Sequence, residues 1–122
     1  MDKLFAVAGA ISACISVAAG AFGAHLLKER LPGDLLEIFE TGVRYQMYHA
    51  FGLLAVSWAI TRWPETSFTG AGWSFMAGIV IFSGSLYVLS LTGIRWLGAI
   101  TPIGGVAFVA GWLLLAWGIW KG

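Results

Sequence analysis

The charged side chains of this sequence are gathered so that four long stretches, residues 4–27, 45–61, 66–94 and 96–120, carry no Asp, Glu, Lys or Arg. These stretches hold 24, 17, 29 and 25 residues, 95 of the 122 in the chain. A helix needs about 20 mostly apolar residues to cross a hydrocarbon layer of ~30 Å. Three stretches meet that length outright. The second meets it if Gly42, Val43 and Arg44 extend it into the interface, where an arginine lifts its guanidinium to the headgroups. Charged residues make up 11% of the chain and the mean hydropathy is +0.85, against about 25% charged in a soluble domain. The solvent for this chain is lipid. No basic stripe for nucleic acid is present, nor the polar, charged composition of a disordered segment. The lone Cys14 offers neither an intrachain disulfide nor a metal motif.

The expected fold is therefore all-α: an integral membrane four-helix bundle, one domain over residues 1–122, with spans at about 4–27, 45–61, 69–91 and 97–119. The first span is expected to be retained, because its apolar run exceeds the ~7–15 residues of a signal-peptide core and Asp2-Lys3 is no basic leader. Pro64 and Thr92-Gly93 mark tight hairpins between the later spans. The first connector differs. Pro32-Gly33 breaks the chain, Asp34 and Glu37 have capping-box spacing, and Leu35, Leu36, Phe39 and Val43 face away from Glu37, Glu40 and Arg44. That pattern predicts an amphipathic connector helix at about 34–44, lying on the membrane surface, continuous with the second span and carrying a Glu40–Arg44 pair.

Close packing in lipid depends on small residues. The first span has a ladder of them in Ala8, Ser12, Ser16, Gly20 and Ala24, which suggests a central position for that helix. The tryptophans Trp58, Trp63, Trp73, Trp117 and Trp120 gather at the end bearing both termini, as an interfacial belt does. The lysine and arginine count is tied between the two ends, and assigning Arg44 to the fold tips the expectation towards cytoplasmic termini.

Polar side chains inside membrane helices are costly and mark candidate functions. Here they converge on the end opposite the termini. His25 closes the first span, Thr41, Tyr45, Gln46 and His49 open the second, Ser83, Ser85 and Tyr87 lie in the third, and Thr101 with Pro102 opens the fourth. On the wheels, Thr41, Tyr45 and His49 share one face. Ser83, Tyr87 and Ser90 share another, with Ser85 and Gly78 turned to a different neighbour. The expected ligand-binding cluster is His25, Tyr45, Gln46, His49, Ser83, Tyr87 and Thr101. A divalent metal on His25 and His49 is the alternative use of the two imidazoles, against which stands the lack of a His-x-x-x-His or Glu-x-x-His pair. No cofactor is indicated.

The motifs Gly20-Ala21-Phe22-Gly23-Ala24-His25, Thr41-Gly42-Val43-Arg44-Tyr45-Gln46-Met47-Tyr48-His49, Phe82-Ser83-Gly84-Ser85-Leu86-Tyr87 and Thr101-Pro102-Ile103-Gly104-Gly105, followed by Gly111-Trp112, carry a resemblance over nearly the whole chain. The sequence resembles the YgdD/YwdK family of small bacterial inner-membrane proteins, domain of unknown function 423, itself similar to the mitochondrial transmembrane protein 256. The resemblance implies a four-helix protein of the bacterial inner membrane and carries over no substrate or catalytic residue. The functional expectation is a non-enzymatic protein that binds a lipid headgroup, a small polar molecule or a membrane-protein partner, a second copy included, through a polar cleft at the end of the bundle opposite the termini. A minimal oligomeric transporter, channel or proton conductor using His25 and His49 is the alternative. Intramembrane hydrolysis by Ser83 or Ser85 is disfavoured, because Ser83-Gly84-Ser85 is not a nucleophile elbow.

Overall fold

Chain breakers fall between the charge-free stretches, and helices fill the rest. The computed structural model describes residues 1–122 and contains no strand. Helix α1 runs Asp2–Leu27, α2 Gly33–Arg62, α3 Thr69–Thr92 and α4 Arg95–Lys121. Of these, α1, α3 and α4 are each long and apolar enough to cross a membrane. The last turn of α1, Gly23–Leu27, and the middle of α3, Ile79–Ser83, widen into π-helical turns. A 3-10 turn, Arg95–Ala99, opens α4. Pro102 follows it in the first turn of regular helix, where its missing N–H has no partner to lose. Gly93, at φ 75°, ends α3 in the left-handed conformation that glycine adopts without a Cβ clash.

The expected connector helix and second span form one uninterrupted helix of 30 residues, about 45 Å long. Asp34 is not its cap. Pro32 takes that position, and the Asp34 carboxylate accepts instead from Arg95 Nη2 at 2.8 Å, tying the start of α2 to the α3–α4 turn. Glu40 and Arg44 form no ion pair; Arg44 Nη2 donates to Thr41 Oγ1 at 3.1 Å. Phe39 points inward as its wheel position requires, with Gly23 of α1 on one side and the Tyr87 ring at 5.1 Å on the other.

The helix at the centre is α2, and not α1 as the small-residue ladder suggested. Gly9 of α1 backs onto the Ala50 carbonyl, and Ser16 Oγ donates to the Val43 carbonyl at 3.2 Å. Val7, Ile11, Ile15 and Val17 remain exposed. A ladder of small residues permits one close neighbour; it does not demand several. By contrast α2 touches all three other helices. It carries Gln46 and His49, both buried, and polar groups in an apolar medium need surrounding partners.

Helices α3 and α4 join through phenyl rings seated on glycines. Phe108 lies on Gly78, Phe75 on Gly111 and Phe68 on Gly118, while Phe5 of α1 covers Gly72. Gly104 brings α4 against the backbone of Phe82. Phe5, Leu53, Val56, Phe75 and Phe108 belong to the resulting core. Both chain ends meet the far end of α2: Ser57 Oγ donates to the Asp2 carbonyl at 2.8 Å, and Gly122 lies beside Trp63. Outward, Val106, Leu113 and Trp120 are 69%, 65% and 83% exposed, an apolar exterior suited to acyl chains.

The Arg95 hydrogen bond holds the Asp34 carboxyl below the usual carboxylate range. A lowered acid pKa contributes stability that is present above the unfolded value of about 4 and is lost as pH falls through the folded one. Both partners are exposed, so the contribution is small and salt-sensitive. Thermal unfolding in detergent should place Asp34→Asn slightly below wild type at neutral pH and low salt, with the gap closing on acidification. A gap that widens in acid would contradict this tie.

Candidate functional site

His49 stands on the α2 face that turns to α4. Its Nδ1 lies 2.7 Å from the Tyr45 carbonyl, which can only accept, and its Nε2 lies 3.0 Å from Trp112 Nε1, which can only donate. The imidazole is thus a neutral ring with its proton on Nδ1 and both nitrogens engaged. Phe108 stacks on it at 3.5 Å between centroids and 8° between planes. Tyr45, one turn earlier, packs against Phe82 at 4.7 Å, and its hydroxyl has no protein partner.

A second set of polar contacts binds α2 to α1 and α3. Gln46 Nε2 donates to the Ser12 carbonyl at 3.0 Å, and the Tyr87 hydroxyl donates to Gln46 Oε1 at 2.5 Å. Gly42 makes room for that phenol: a methyl there would stand 2.9 Å from the Tyr87 ring. Ser83 Oγ donates to the Gly42 carbonyl at 2.7 Å. On the other side of α3, Ser85 Oγ meets Thr101 Oγ1 of α4 at 2.6 Å. The α3 wheel is therefore as expected, with Ser83 and Tyr87 turned to α2 and Ser85 with Gly78 turned to α4. Ser90, buried on the first of these faces, donates to its own helix at the Tyr87 carbonyl.

The seven expected site residues do not form one cluster. Gln46 and Tyr87 pair, Tyr45 and His49 are stacked neighbours, Ser83 bonds to α2 backbone, and Thr101 pairs with Ser85. His25 stays outside. It is exposed in the π-helical turn of α1, where buried Gly23 and Leu27 take the inward positions, and it makes no hydrogen bond to the other six. Both nitrogens of His49 are engaged, by the Tyr45 carbonyl and by Trp112, and no three His, Cys, Asp or Glu side chains gather. Nor do the seven share one level: His49 stacks on Phe108, which lies about 10 Å beyond Thr101 along α4. Ser12 and Trp112 are the participants that sequence reasoning missed. An indole inside an apolar run reads as lipid-facing, and the available signal was the Phe108–Trp112 spacing of four, which puts both rings on one face.

Between α2 and α4 the surface opens into a groove of about 630 Å³. Tyr45 and His49 line it from α2, Phe82 from α3, and Pro102, Gly105, Val106, Phe108, Val109 and Trp112 from α4. Val106 and Val109 are exposed on its rim, so it faces sideways and does not open at the end of the helices. An apolar groove of about 550 Å³ lies on the opposite flank, bounded by Ile15, Phe22, Phe39, Tyr87 and Leu91 among others.

Apolar outer faces, three helices of membrane-crossing length and polar side chains bonded inward define a small helical membrane protein. Residues 19–105 match the family described as "Protein of unknown function (DUF423)", and the chain belongs to that family. It is 51% identical to the UPF0382 membrane protein YwdK of Bacillus subtilis over 114 residues, 93% of each chain. A UPF0382 membrane protein of Staphylococcus saprophyticus is 49% identical over 119 residues, 98% of each chain. Another, from Staphylococcus epidermidis, is 50% identical over 113 residues, covering 93% of this chain and 92% of its own. No solved structure matches the chain.

Proposed function

We propose that this protein is a four-helix transmembrane bundle that acts by binding a membrane lipid, without catalysis, in the lateral groove between α2 and α4. Helix α2 completes the bundle: its charges lie in its first twelve residues and at Arg62, and the charge-free remainder is covered by three apolar helices. The observation that carries the binding reading is the groove itself, mostly apolar in its lining and open on the lateral face of the helices. The polar groups around it argue for a scaffold. Ser83 and Ser85 bond to a carbonyl and to Thr101, neither touches a histidine, and His49 has no free nitrogen to take a proton from a nucleophile.

The groove is tested with a phospholipid carrying a diazirine on one acyl chain, irradiated with the protein in nanodiscs. Label should concentrate on Phe82 and on Val106 to Val109. It should fall severalfold in Gly105→Leu, whose Cβ would lie 4.0 Å from the Phe82 ring, ordinary contact, so that the added side chain fills the groove without prising helices apart. Uniform labelling of all outward faces would overturn the site. Solute or proton flux into sealed vesicles, lost in His49→Ala, would replace binding with transport.

A further inference from the structure

The geometry points to a glycerophospholipid as the occupant, with one acyl chain in the groove and its phosphate on Arg44. This rests on the groove reading above and adds the chemistry of the lipid's polar part.

Length supports the chain. From Pro102 to Trp112 the groove follows α4 for about 15 Å, half of a ~30 Å hydrocarbon layer. A chain entering at the Pro102 and Tyr45 end and running to Trp112, the furthest α4 residue of the lining, thus spans about the depth of a single leaflet. A molecule spanning both leaflets, or a transmembrane helix, would overrun it.

Charge supports the phosphate. Arg44 adjoins Tyr45 in sequence and projects from a different side of α2, yet its guanidinium is drawn back. Its Nη2 donates to Thr41 Oγ1 at 3.1 Å. Thr41 is itself held by its donation to the Glu37 carbonyl at 2.9 Å. Thr41 stands one helical turn before Tyr45 on the same face, so the cation is held about one turn, ~6 Å, beyond the Tyr45 end of the groove. It pairs with no carboxylate; the side-chain ion pair at this end of the molecule is Arg95–Asp34. Four of its five N–H donors remain to be used, in the fork that matches two phosphate oxygens. The free Tyr45 hydroxyl, lower on the same face, suits an ester carbonyl between phosphate and chain.

The test compares two diazirine probes with the same acyl chain in nanodiscs, phosphatidylglycerol and diacylglycerol, which lacks the phosphate. Wild type should capture the phospholipid in preference. Arg44→Gln, a change at an exposed side chain whose one hydrogen bond is to Thr41, should lower that capture about tenfold and leave diacylglycerol capture unchanged. Arg44→Lys should retain part of the preference. Equal capture of both probes by wild type, or an unchanged preference in Arg44→Gln, overturns the phosphate contact while labelled groove residues keep the groove. Absence of groove labelling with either probe removes the groove as well.

Discussion

Gly104→Ala is expected to destabilise the protein by about 1–3 kcal/mol, although it adds a single methyl group. That methyl would run into the backbone nitrogen and Cα of Phe82, atoms that no rotamer change moves aside. Helices α3 and α4 must part to admit it, and the neighbouring Ser85–Thr101 contact goes with them. Gly20→Ala on α1 is the control. Its methyl would stand 3.4 Å from Val43 Cγ1, and alanine is a better helix former than glycine by about 1 kcal/mol. In thermal unfolding in one detergent, Gly104→Ala should melt well below wild type and Gly20→Ala at or above it. Equal midpoints would mean that the α3–α4 seam is looser than described.

The second large effect is expected at Gln46. Gln46→Leu keeps the bulk but leaves the Tyr87 hydroxyl without an acceptor and the Ser12 carbonyl without this donor. Stranding buried polar groups costs about 1–3 kcal/mol. Tyr87→Phe removes one end of the same bond, so the two changes should be non-additive. A double-mutant cycle should return a coupling between ~0.6 kcal/mol, the average for polar contacts within a membrane protein, and the ~1.7 kcal/mol at the upper end of that range. Zero coupling would separate the two side chains.

These two sites also mark what the sequence made legible. The α3 wheel distinguishes Ser83 and Tyr87 from Ser85 and Gly78, because regular helix turns at a fixed angle per residue and a face follows from spacing alone. Which helix each face meets does not follow, since partner choice depends on the whole set of surfaces. The α1 ladder shows that something approaches closely without saying how many neighbours do, and one suffices. His25 escapes the wheel for a local reason: the π-helical turn changes the angle per residue just where the imidazole leaves the helix. The groove was not legible, because its walls are ordinary apolar residues from three helices, and concavity is a property of their spacing in three dimensions. Polar residues drew attention to the right helices, but they mostly bond to one another, and the open surface lies beside them.

The central position of α2 bears on how the chain enters a bilayer. It alone among the four helices falls short of the apolar length and composition that would carry a segment into lipid unaided. Synthesis proceeds from the N-terminus, so α1 is the one helix already made when α2 emerges. The first bonds available to α2 are then those to α1: Gln46 to the Ser12 carbonyl, and Ser16 to the Val43 carbonyl. In the four-helix bundle proposed above, the α1–α2 hairpin would be the unit of insertion, with α3 and α4 closing around a pair that has already found its partners.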